Sequence, residues 1–330
     1  MLFALGFLSI GTQLYLVRES MMVFNDNELI VGLVLAIWML ITGIGSFLGR
    51  FSKGMLKRNV LLISLIMLAG MLPSLMVTGT DVLKVAMVPP GSMAELWQVL
   101  VVCILVQLPF CLLSGFLFSF LSIASPDNSP AGAYSWESLG SMASGALINF
   151  LFLWILGPFQ SLLIITGVYL SLVVIFTRIT AGNKEFRAVL CVSVVYLVVL
   201  GITNPRALTE KILYPEQRVI SDVETPYGQV VVTKNQNQFN FFENGILLFS
   251  SGNEISNEEN VHYAMLQHPD PENILLISGG FSGTLAEIIK YNPVRVDYVE
   301  LNPSLVGIAS RFTRQLDHPS VRAYGTDARR

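Results

Sequence analysis

Long hydrophobic runs fill the first two thirds of the chain and contain few charged residues. Residues 29–49 form a run of 21 without a charge, which is long enough to cross a hydrocarbon core of about 30 Å as an α-helix. We therefore predict an α-helical polytopic membrane domain over residues 1–204, in a multi-pass protein of the cell membrane with the lipid bilayer as a partner. About seven transmembrane helices are predicted, at residues 2–17, 29–49, 60–77, 96–124, 131–155, 159–176 and 188–202.

Small and polar residues inside these runs indicate how the helices pack. Gly45 and Gly49 form a GxxxG pair and Gly140 lies in a second stripe of small residues, and both patterns favour close helix contact. Gln107 is predicted to make a hydrogen bond between helices. Glu137 is an acid inside a run, where it must pair or face water. We interpret it as a structural anchor, with a polar site or proton path as the alternative.

After residue 204 the apolar segments become short and turn residues separate them. Three strands are predicted, at residues 227–234, 238–243 and 246–250, and Asn244 and Gly245 between the last two indicate a hairpin. A helix is predicted from Ser256 to residue 267, because serine is a favourable N-cap and the acids that follow suit the helix dipole. Residues 205–256 are thus predicted to form a small antiparallel β domain.

Residues 273–303 follow the order β-strand, glycine turn, α-helix, β-strand. The first strand, at 274–278, is continuously apolar, as is typical of a parallel strand covered on both faces. The turn contains Gly279, Gly280 and Gly283, which permit a tight reversal and the close approach of a ligand to the start of the helix. This order is typical of a nucleoside-binding fold.

An acidic residue completes this motif. Glu300 ends the second strand, 21 residues after Gly279, where a carboxylate can accept hydrogen bonds from ribose hydroxyls; a solvated acid is the alternative. In the pattern G-x-G-x-x-G, Ser278 replaces the first glycine. Asp327 follows the next predicted strand, in the position of an acid that contacts adenine or of an ordinary loop acid. We predict an incomplete Rossmann-type, methyltransferase-like α/β domain over residues 257–330.

Composition excludes some classes of function. Charged residues make up 13% of the chain, against about a quarter in an ordinary soluble protein. With a formal net charge of −3 and no basic stripe, the sequence predicts no nucleic-acid partner. Cys103, Cys111 and Cys191 lie in apolar runs without metal-ligand spacing, so no metal site is predicted.

Six blocks of sequence resemble the spermidine synthase family of aminopropyltransferases. Together with the hydrophobic half, they resemble the membrane-fused spermidine synthase-like proteins. The blocks in chain order are ETPYGQVVV at 224–232, ENG at 243–245, EENVHYAMLQHP at 258–269, SGGFSG at 278–283, YVELNP at 298–303 and GTDARR at 325–330. The resemblance implies a small β domain followed by a methyltransferase-like sheet.

The resemblance also implies a reaction and its binding residues. Decarboxylated S-adenosylmethionine, or S-adenosylmethionine itself, is the implied co-substrate, with no prosthetic group. Its aminopropyl group passes to a diamine in polyamine biosynthesis. Glu300 is then expected to hold the ribose, Asp327 the adenine amino group, and Gly279, Gly280 and Gly283 the nucleoside. The implied substrate-binding residues are Tyr227, His262, Tyr263 and Phe281.

Two features depart from the family pattern. Phe281 stands where the family's glycine turn carries an Asp that faces the charged amines, so that charge is replaced by a ring able only to stack or to offer a cation–π face. The family's general base lies on a later strand, beyond Arg330, so no catalytic residue is assigned. We therefore expect a C-terminally truncated chain that does not complete the reaction and whose sheet of about three strands leaves an edge and an apolar face uncovered.

The membrane side of the second half is left open by the sequence. Four basic residues at 50–58 place that loop in the cytoplasm by the positive-inside rule, and four further crossings bring Arg178, Lys184 and Arg187 to the same side. A seventh crossing would export everything after Asn204. That result conflicts with a nucleoside made in the cytoplasm, so either one run does not cross or the soluble half faces outward.

The sequence leaves three functions open and does not predict the oligomeric state. The first is membrane-bound aminopropyl transfer. The second is binding of a nucleoside or polyamine without turnover, as a sensor or transport accessory, which Phe281 and Glu137 favour. The third is an S-adenosylmethionine-dependent methyltransferase, which shares the ribose-binding logic but fits the ETPYG and EENVH blocks less well.

Overall fold

The computed structural model describes residues 1–24, 28–52, 59–88, 94–124, 129–152, 158–203, 211–225, 227–312 and 315–328. The chain forms two compact units, Met1–Leu213 and Tyr214–Arg330. The first consists of helices and the second contains the strands. Several residues used in the sequence predictions fall outside the described ranges, namely Lys53, Lys57, Arg58, Pro226, Arg329 and Arg330.

Seven long helices are described in the first unit, and each corresponds to one predicted hydrophobic run. Helix α5 continues into a π-helical turn at Ile148–Phe152. The helices are α1 (Leu2–Val23), α2 (Glu28–Gly49), α3 (Asn59–Met87), α4 (Leu96–Ile123), α5 (Pro130–Leu147), α6 (Pro158–Thr180) and α7 (Asn183–Thr203).

Five of the described helices, α2, α3, α4, α6 and α7, are long and apolar enough to cross a membrane. Many of their large apolar side chains point outward: Met39, Ile179 and Ile202 are each more than 70% exposed. Such an outer surface is compatible with lipid and costly in water. Helices α1 and α5 do not meet the same criterion of length and hydropathy among the described residues.

Glycines bring α2 and α4 into close backbone contact. A Cβ atom added to Gly45 would lie 2.2 Å from the carbonyl oxygen of Leu112, and one added to Gly115 would lie 2.1 Å from that of Thr42. Gly49 is equally restricted, because its added Cβ would lie 2.6 Å from a backbone oxygen of α4. The close contact predicted from the GxxxG pair is confirmed.

Two tyrosine hydroxyls donate to backbone carbonyls of α3 that precede its internal proline. Tyr169 of α6 donates to the carbonyl of Ile66 at 2.9 Å, and Tyr196 of α7 donates to that of Met71 at 3.1 Å. Pro73 lies inside α3, where a proline removes one backbone donor and strains the preceding turn. The tyrosines therefore fasten α3 to two neighbouring helices in the part of the helix that precedes Pro73.

Gln107 does not make the hydrogen bond between helices that was predicted for it. Its side chain is fully buried, yet neither amide atom has a hydrogen-bond partner among the described residues. It lies beside Ser20 and Thr80 at a narrow gap between α1, α3 and α4. Glu137 accepts a hydrogen bond from Ser141 one helical turn later, in keeping with an anchoring role.

The second unit begins with a four-stranded antiparallel sheet in the order β1-β2-β3-β4. Strand β1 is not among the predicted strands, because Ser221 and Asp222 interrupt its apolar pattern. The hairpin between β3 and β4 is confirmed: Asn244 and Gly245 have φ of 50° and 75°, as a tight hairpin turn requires. The strands are β1 (Arg218–Thr225), β2 (Gly228–Asn235), β3 (Gln238–Glu243) and β4 (Ile246–Ser250).

A helix and a three-stranded parallel sheet follow. Helix α8 (Glu254–Met265) begins earlier than predicted, with Asn253 rather than Ser256 at its N-cap position. The sheet has the order β5-β6-β7, and helices alternate with its strands along the chain, as predicted. Its elements are β5 (Asn273–Ile277), α9 (Thr284–Ile289), β6 (Arg295–Glu300), α10 (Pro303–Ala309) and β7 (Val321–Gly325).

The two faces of this parallel sheet differ sharply in burial. One face packs against α9 and α10, and its core includes Leu285, Val296 and Tyr298. On the other face, Leu275 is 64% exposed and Ile277 is 59% exposed. The uncovered apolar face expected from the sequence is therefore present in the described residues.

We expect Gly45→Ala to lower the stability of the first unit by about 1–3 kcal/mol, because the added methyl group must push α2 away from α4. Gly43→Ala on the same helix is the matched control, since a Cβ there meets nothing within 4 Å. Thermal unfolding of the full chain in detergent measures both. Equal unfolding temperatures for the two variants would show that the α2–α4 contact is looser than the structure has it.

Candidate nucleoside-binding site

The glycine turn joins β5 to α9 and contains several residues in the left-handed region. Gly279 has φ of 72° and Gly283 has φ of 124°, and Ser278 before them has φ of 59°. A side chain is disfavoured at such angles, which explains why the usual motif has glycine at the position of Ser278. Gly280 is needed for a different reason: its added Cβ would lie 2.7 Å from the ring of Tyr298.

Asn257 of α8 holds the turn from the side. Its Nδ2 donates to the carbonyl oxygen of Ser282, and its Oδ1 accepts from the hydroxyl of Ser282, each at 2.9 Å. Asn257 is buried, and a Cβ on Gly283 would lie 2.4 Å from its Nδ2. The turn is therefore fixed to α8 by side-chain contacts that the sequence analysis did not identify.

Glu300 lies at the carboxyl end of β6, beside the turn, as predicted. Its Oε2 accepts hydrogen bonds from the hydroxyls of Tyr298 at 2.7 Å and Ser278 at 3.2 Å, and its Oε1 accepts from the N–H of Leu301 at 3.0 Å. Glu300 is only 5% exposed. These three hydrogen bonds fix the orientation of the Glu300 carboxylate. A carboxylate can accept about four hydrogen bonds, so it still has acceptor capacity for a ligand.

Tyr298 orients the Glu300 carboxylate through its hydroxyl, which donates to Oε2. Its side chain is fully buried. Burial, together with the hydrogen bond to Glu300, raises the pKa of Tyr298 well above its ordinary value. The hydroxyl therefore stays protonated and remains a donor to Glu300. Nothing in the single sequence distinguishes Tyr298 from an ordinary core residue of a strand.

Asn302 connects the end of β6 to the antiparallel sheet. Its Nδ2 donates to Thr225 Oγ1 at 3.1 Å and to Glu243 Oε1 at 2.9 Å, and its Oδ1 accepts from the N–H of Ser304 at the start of α10. Asn302 is 2% exposed. The residue lies within the YVELNP block, but its partners are distant in sequence and were not predicted.

Phe281 lies in the core and not on a ligand-binding surface, which corrects its predicted role. It is 1% exposed. Its ring packs edge-on against Tyr298, with centroids 5.3 Å apart, and also faces Phe249. An apolar ring is more stable in this core than in water, so it offers no face for stacking or cation–π contact with a substrate.

The remaining predicted residues lie in different parts of the second unit. Asp327 follows β7, and because Gly325 pairs with Glu300, both acids lie at the carboxyl edge of the sheet. Tyr227 lies in the turn between β1 and β2, and Tyr263 is 74% exposed on α8. His262 contacts Tyr291 and Glu287 between α8 and α9.

A parallel sheet, a left-handed glycine turn before a helix, and a buried carboxylate at the end of the next strand together define a Rossmann-like class of α/β domain. Comparison with known families agrees with this class. Residues 254–320 match the spermine/spermidine synthase domain. This part of the chain is spermidine synthase-like.

Two relatives extend the similarity beyond that segment. A polyamine aminopropyltransferase of Leptospira interrogans is 32% identical over 138 residues, which cover 40% of this chain and 28% of that protein. A polyamine aminopropyltransferase of Oceanobacillus iheyensis is 27% identical over 188 residues, which cover 54% of this chain and 36% of that protein. The chain thus spans only about a third of the length of the curated relatives it matches.

Among solved structures, a spermidine synthase from Thermotoga maritima is 23% identical to this chain. The match covers 33% of this chain and 41% of that one, with a TM-score of 0.32. A TM-score this low supports no conclusion about the present chain.

We expect Asn302→Asp to lower the free energy of unfolding by about 2 kcal/mol or more, because it removes a buried donor and places a carboxylate beside Glu243. The substitution keeps the oxygen that caps α10, so it separates the capping role from the connection between sheets. Asn260→Asp on the exposed face of α8 is the control. Thermal unfolding of the full chain is the measurement, and wild-type stability of Asn302→Asp would show that capping is the only role of this side chain.

Proposed function

We propose that the second unit binds the adenosine part of decarboxylated S-adenosylmethionine and that the protein is a membrane-bound, spermidine synthase-like aminopropyltransferase of polyamine biosynthesis. The observation that carries this proposal is the match of residues 254–320 to the spermine/spermidine synthase domain, since that segment contains both the glycine turn and Glu300. The relatives from Leptospira and Oceanobacillus, both named polyamine aminopropyltransferases, support it.

In this proposal the two acids at the sheet edge divide the nucleoside between them. Glu300 accepts hydrogen bonds from the ribose hydroxyls, and its buried position beside the turn supports that role. Asp327 accepts from the adenine amino group. The backbone of the glycine turn lies against the nucleoside, because residues without side chains permit the closest approach.

The reaction is a displacement at the carbon next to the sulfonium. The amine nitrogen of the diamine forms a bond to that carbon, the carbon–sulfur bond breaks, and its electron pair leaves on sulfur as a neutral thioether. The amine then loses one proton to a base. Catalysis therefore depends on holding a neutral amine in line with the carbon–sulfur bond and on removing its proton.

The acceptor diamine needs groups that replace the missing charge in the turn. Phe281 is buried and cannot supply one, and His262 is already bound to Tyr291. Of the residues predicted to bind substrate, Tyr227 and Tyr263 present exposed side chains. A neutral tyrosine offers a diamine only a ring face or a hydroxyl, so neither replaces the missing charge, and we assign no catalytic residue.

A nucleoside- or polyamine-binding sensor without turnover is the second candidate. The burial of Phe281 favours it, because the glycine turn then has no carboxylate at this position to face a cation. In this case Glu300 and Asp327 keep their roles and only the transfer step is absent. The two candidates differ in product formation and not in nucleoside affinity.

We also propose that the first unit spans the cell membrane and that the second unit faces the cytoplasm. Arg50 follows α2, and the positive-inside rule places it in the cytoplasm. Four of the helices that meet the length and hydropathy criterion follow it, so an even number of crossings returns the chain to the same side. If α5 also crossed, five crossings would follow Arg50 and the second unit would lie outside. Arg178, Lys184 and Arg187 favour this alternative, because they would then lie in the cytoplasm.

We expect Glu300→Gln to weaken nucleoside binding by about 1–3 kcal/mol, because the amide loses acceptor capacity toward ribose while keeping the shape of the buried side chain. Glu259→Gln on the exposed face of α8 is the matched control. Calorimetry on the full chain in detergent, with decarboxylated and ordinary S-adenosylmethionine offered separately, measures the effect.

Unchanged affinity in Glu300→Gln would remove the assignment of the ribose site. A preference for ordinary S-adenosylmethionine would favour a methyltransferase. Tight binding of the decarboxylated compound without a diamine-dependent product would favour the sensor.

We expect a cysteine at Asn237, in the exposed turn between β2 and β3, to react with a membrane-impermeant maleimide only after the cells are permeabilised. Cys191→Ser is the background, since Cys191 is exposed. Glu95→Cys is the control. Its loop follows α3, one crossing after the cytoplasmic Arg50, so it lies outside whether or not α5 crosses. Labelling of Asn237→Cys in intact cells would place the second unit outside and would contradict a cytoplasmic nucleoside substrate.

A further inference from the structure

A group of metal-binding side chain types lies between α8 and α9, outside the nucleoside site. Glu258 and His262 of α8 and Glu287 of α9 each bring one oxygen or nitrogen atom into the group, and these atoms all lie within 4.8 Å of one another. We propose that these three residues bind one transition-metal ion of the zinc class. The proposal does not rest on the proposed function.

The spacing of the three side chains suits a tetrahedral ion. Nε2 of His262 and Oε2 of Glu287 are 3.5 Å apart. Two ligands bound to zinc at about 2.1 Å with a tetrahedral angle lie about 3.4 Å apart. Glu258 and His262 are four residues apart on one helix, so both project from the same face toward α9. Little rearrangement is needed for all three to reach one ion.

Tyr291 prepares the histidine for this role. Its hydroxyl lies 2.7 Å from Nδ1 of His262. When Nδ1 donates to the tyrosine oxygen, Nε2 keeps its lone pair and points to the side of Glu287. Histidines that bind metals commonly have their other ring nitrogen held by such a hydrogen bond.

Glu287 requires a positive partner because its side chain is only 8% exposed and a buried carboxylate is costly without one. Lys290 bonds to the same Oε2 and lies 3.9 Å from Glu258. Since the Lys290 side chain is 55% exposed, it can turn into solvent when another cation takes its place. Lys290 and a metal ion are therefore competitors for Glu287, and this competition separates a metal site from a simple ion-pair network.

The donor types indicate the class of metal. One imidazole nitrogen and two carboxylate oxygens form a mixed set that suits zinc. Calcium and magnesium favour sites made of oxygen ligands with six or more positions. Three protein ligands leave one tetrahedral position for water. A bound ion would join α8 to α9, and because Asn257 of α8 holds the glycine turn, it would also restrict movement of that turn.

Calorimetric titration of Zn²⁺ into metal-stripped, tag-free full chain in detergent tests the proposal. We expect one binding event that is lost in His262→Ala and retained in His268→Ala, the exposed histidine control in the same unit. Lys290→Gln should bind Zn²⁺ more tightly than wild type because the competing ammonium is gone. Tyr291→Phe should bind about tenfold more weakly.

The last two variants keep all three ligands, so they remain informative if His262→Ala fails to fold. Equal Zn²⁺ uptake by wild type and His262→Ala would overturn the proposal. Unchanged or weaker affinity in Lys290→Gln would also overturn it, and would show that the group is an ion pair with a histidine beside it.

Discussion

The hydrogen bonds of the Asn302 side chain are the contact on which the second unit depends most. This one buried amide reaches Thr225 and Glu243 in the antiparallel sheet and begins α10 through its oxygen. It lies two residues after Glu300, so the position of that carboxylate is tied to the antiparallel sheet as well as to its own strand. A buried amide with its donor and acceptor both used specifies one arrangement of its neighbours, because any other leaves polar atoms unpaired in the core.

Local patterns predicted much of this unit, whereas contacts between distant segments were not predictable. The hairpin at Asn244, the glycine turn and the strand ending in Glu300 follow from neighbouring residues, whose backbone angles and spacing are fixed locally. Tyr298 and Asn257 act through partners that only the folded chain brings near. Phe281 shows the opposite problem: its place in the turn suggested a ligand contact, but burial of an aromatic ring is favoured over exposure.

In the first unit the pattern predicted the helices and their glycine contacts, because length, hydropathy and small residues act along one helix. It did not predict which polar side chains find partners. Tyr169 and Tyr196 do so at the backbone of α3, while Gln107 has no hydrogen-bond partner among the described residues. The choice depends on helix rotation, and several rotations bury the same apolar stripe with different polar neighbours.

The uncovered side of the parallel sheet affects how the second unit behaves in water. Leu275 and Ile277 lie two positions apart on β5, so their side chains project to the same face of the sheet. More than half of each side chain is exposed there. Surfaces of this kind attract one another in concentrated solution. A proteolytic fragment that consists of the second unit, Tyr214–Arg330, would therefore self-associate through this strip, to a degree that rises with its concentration.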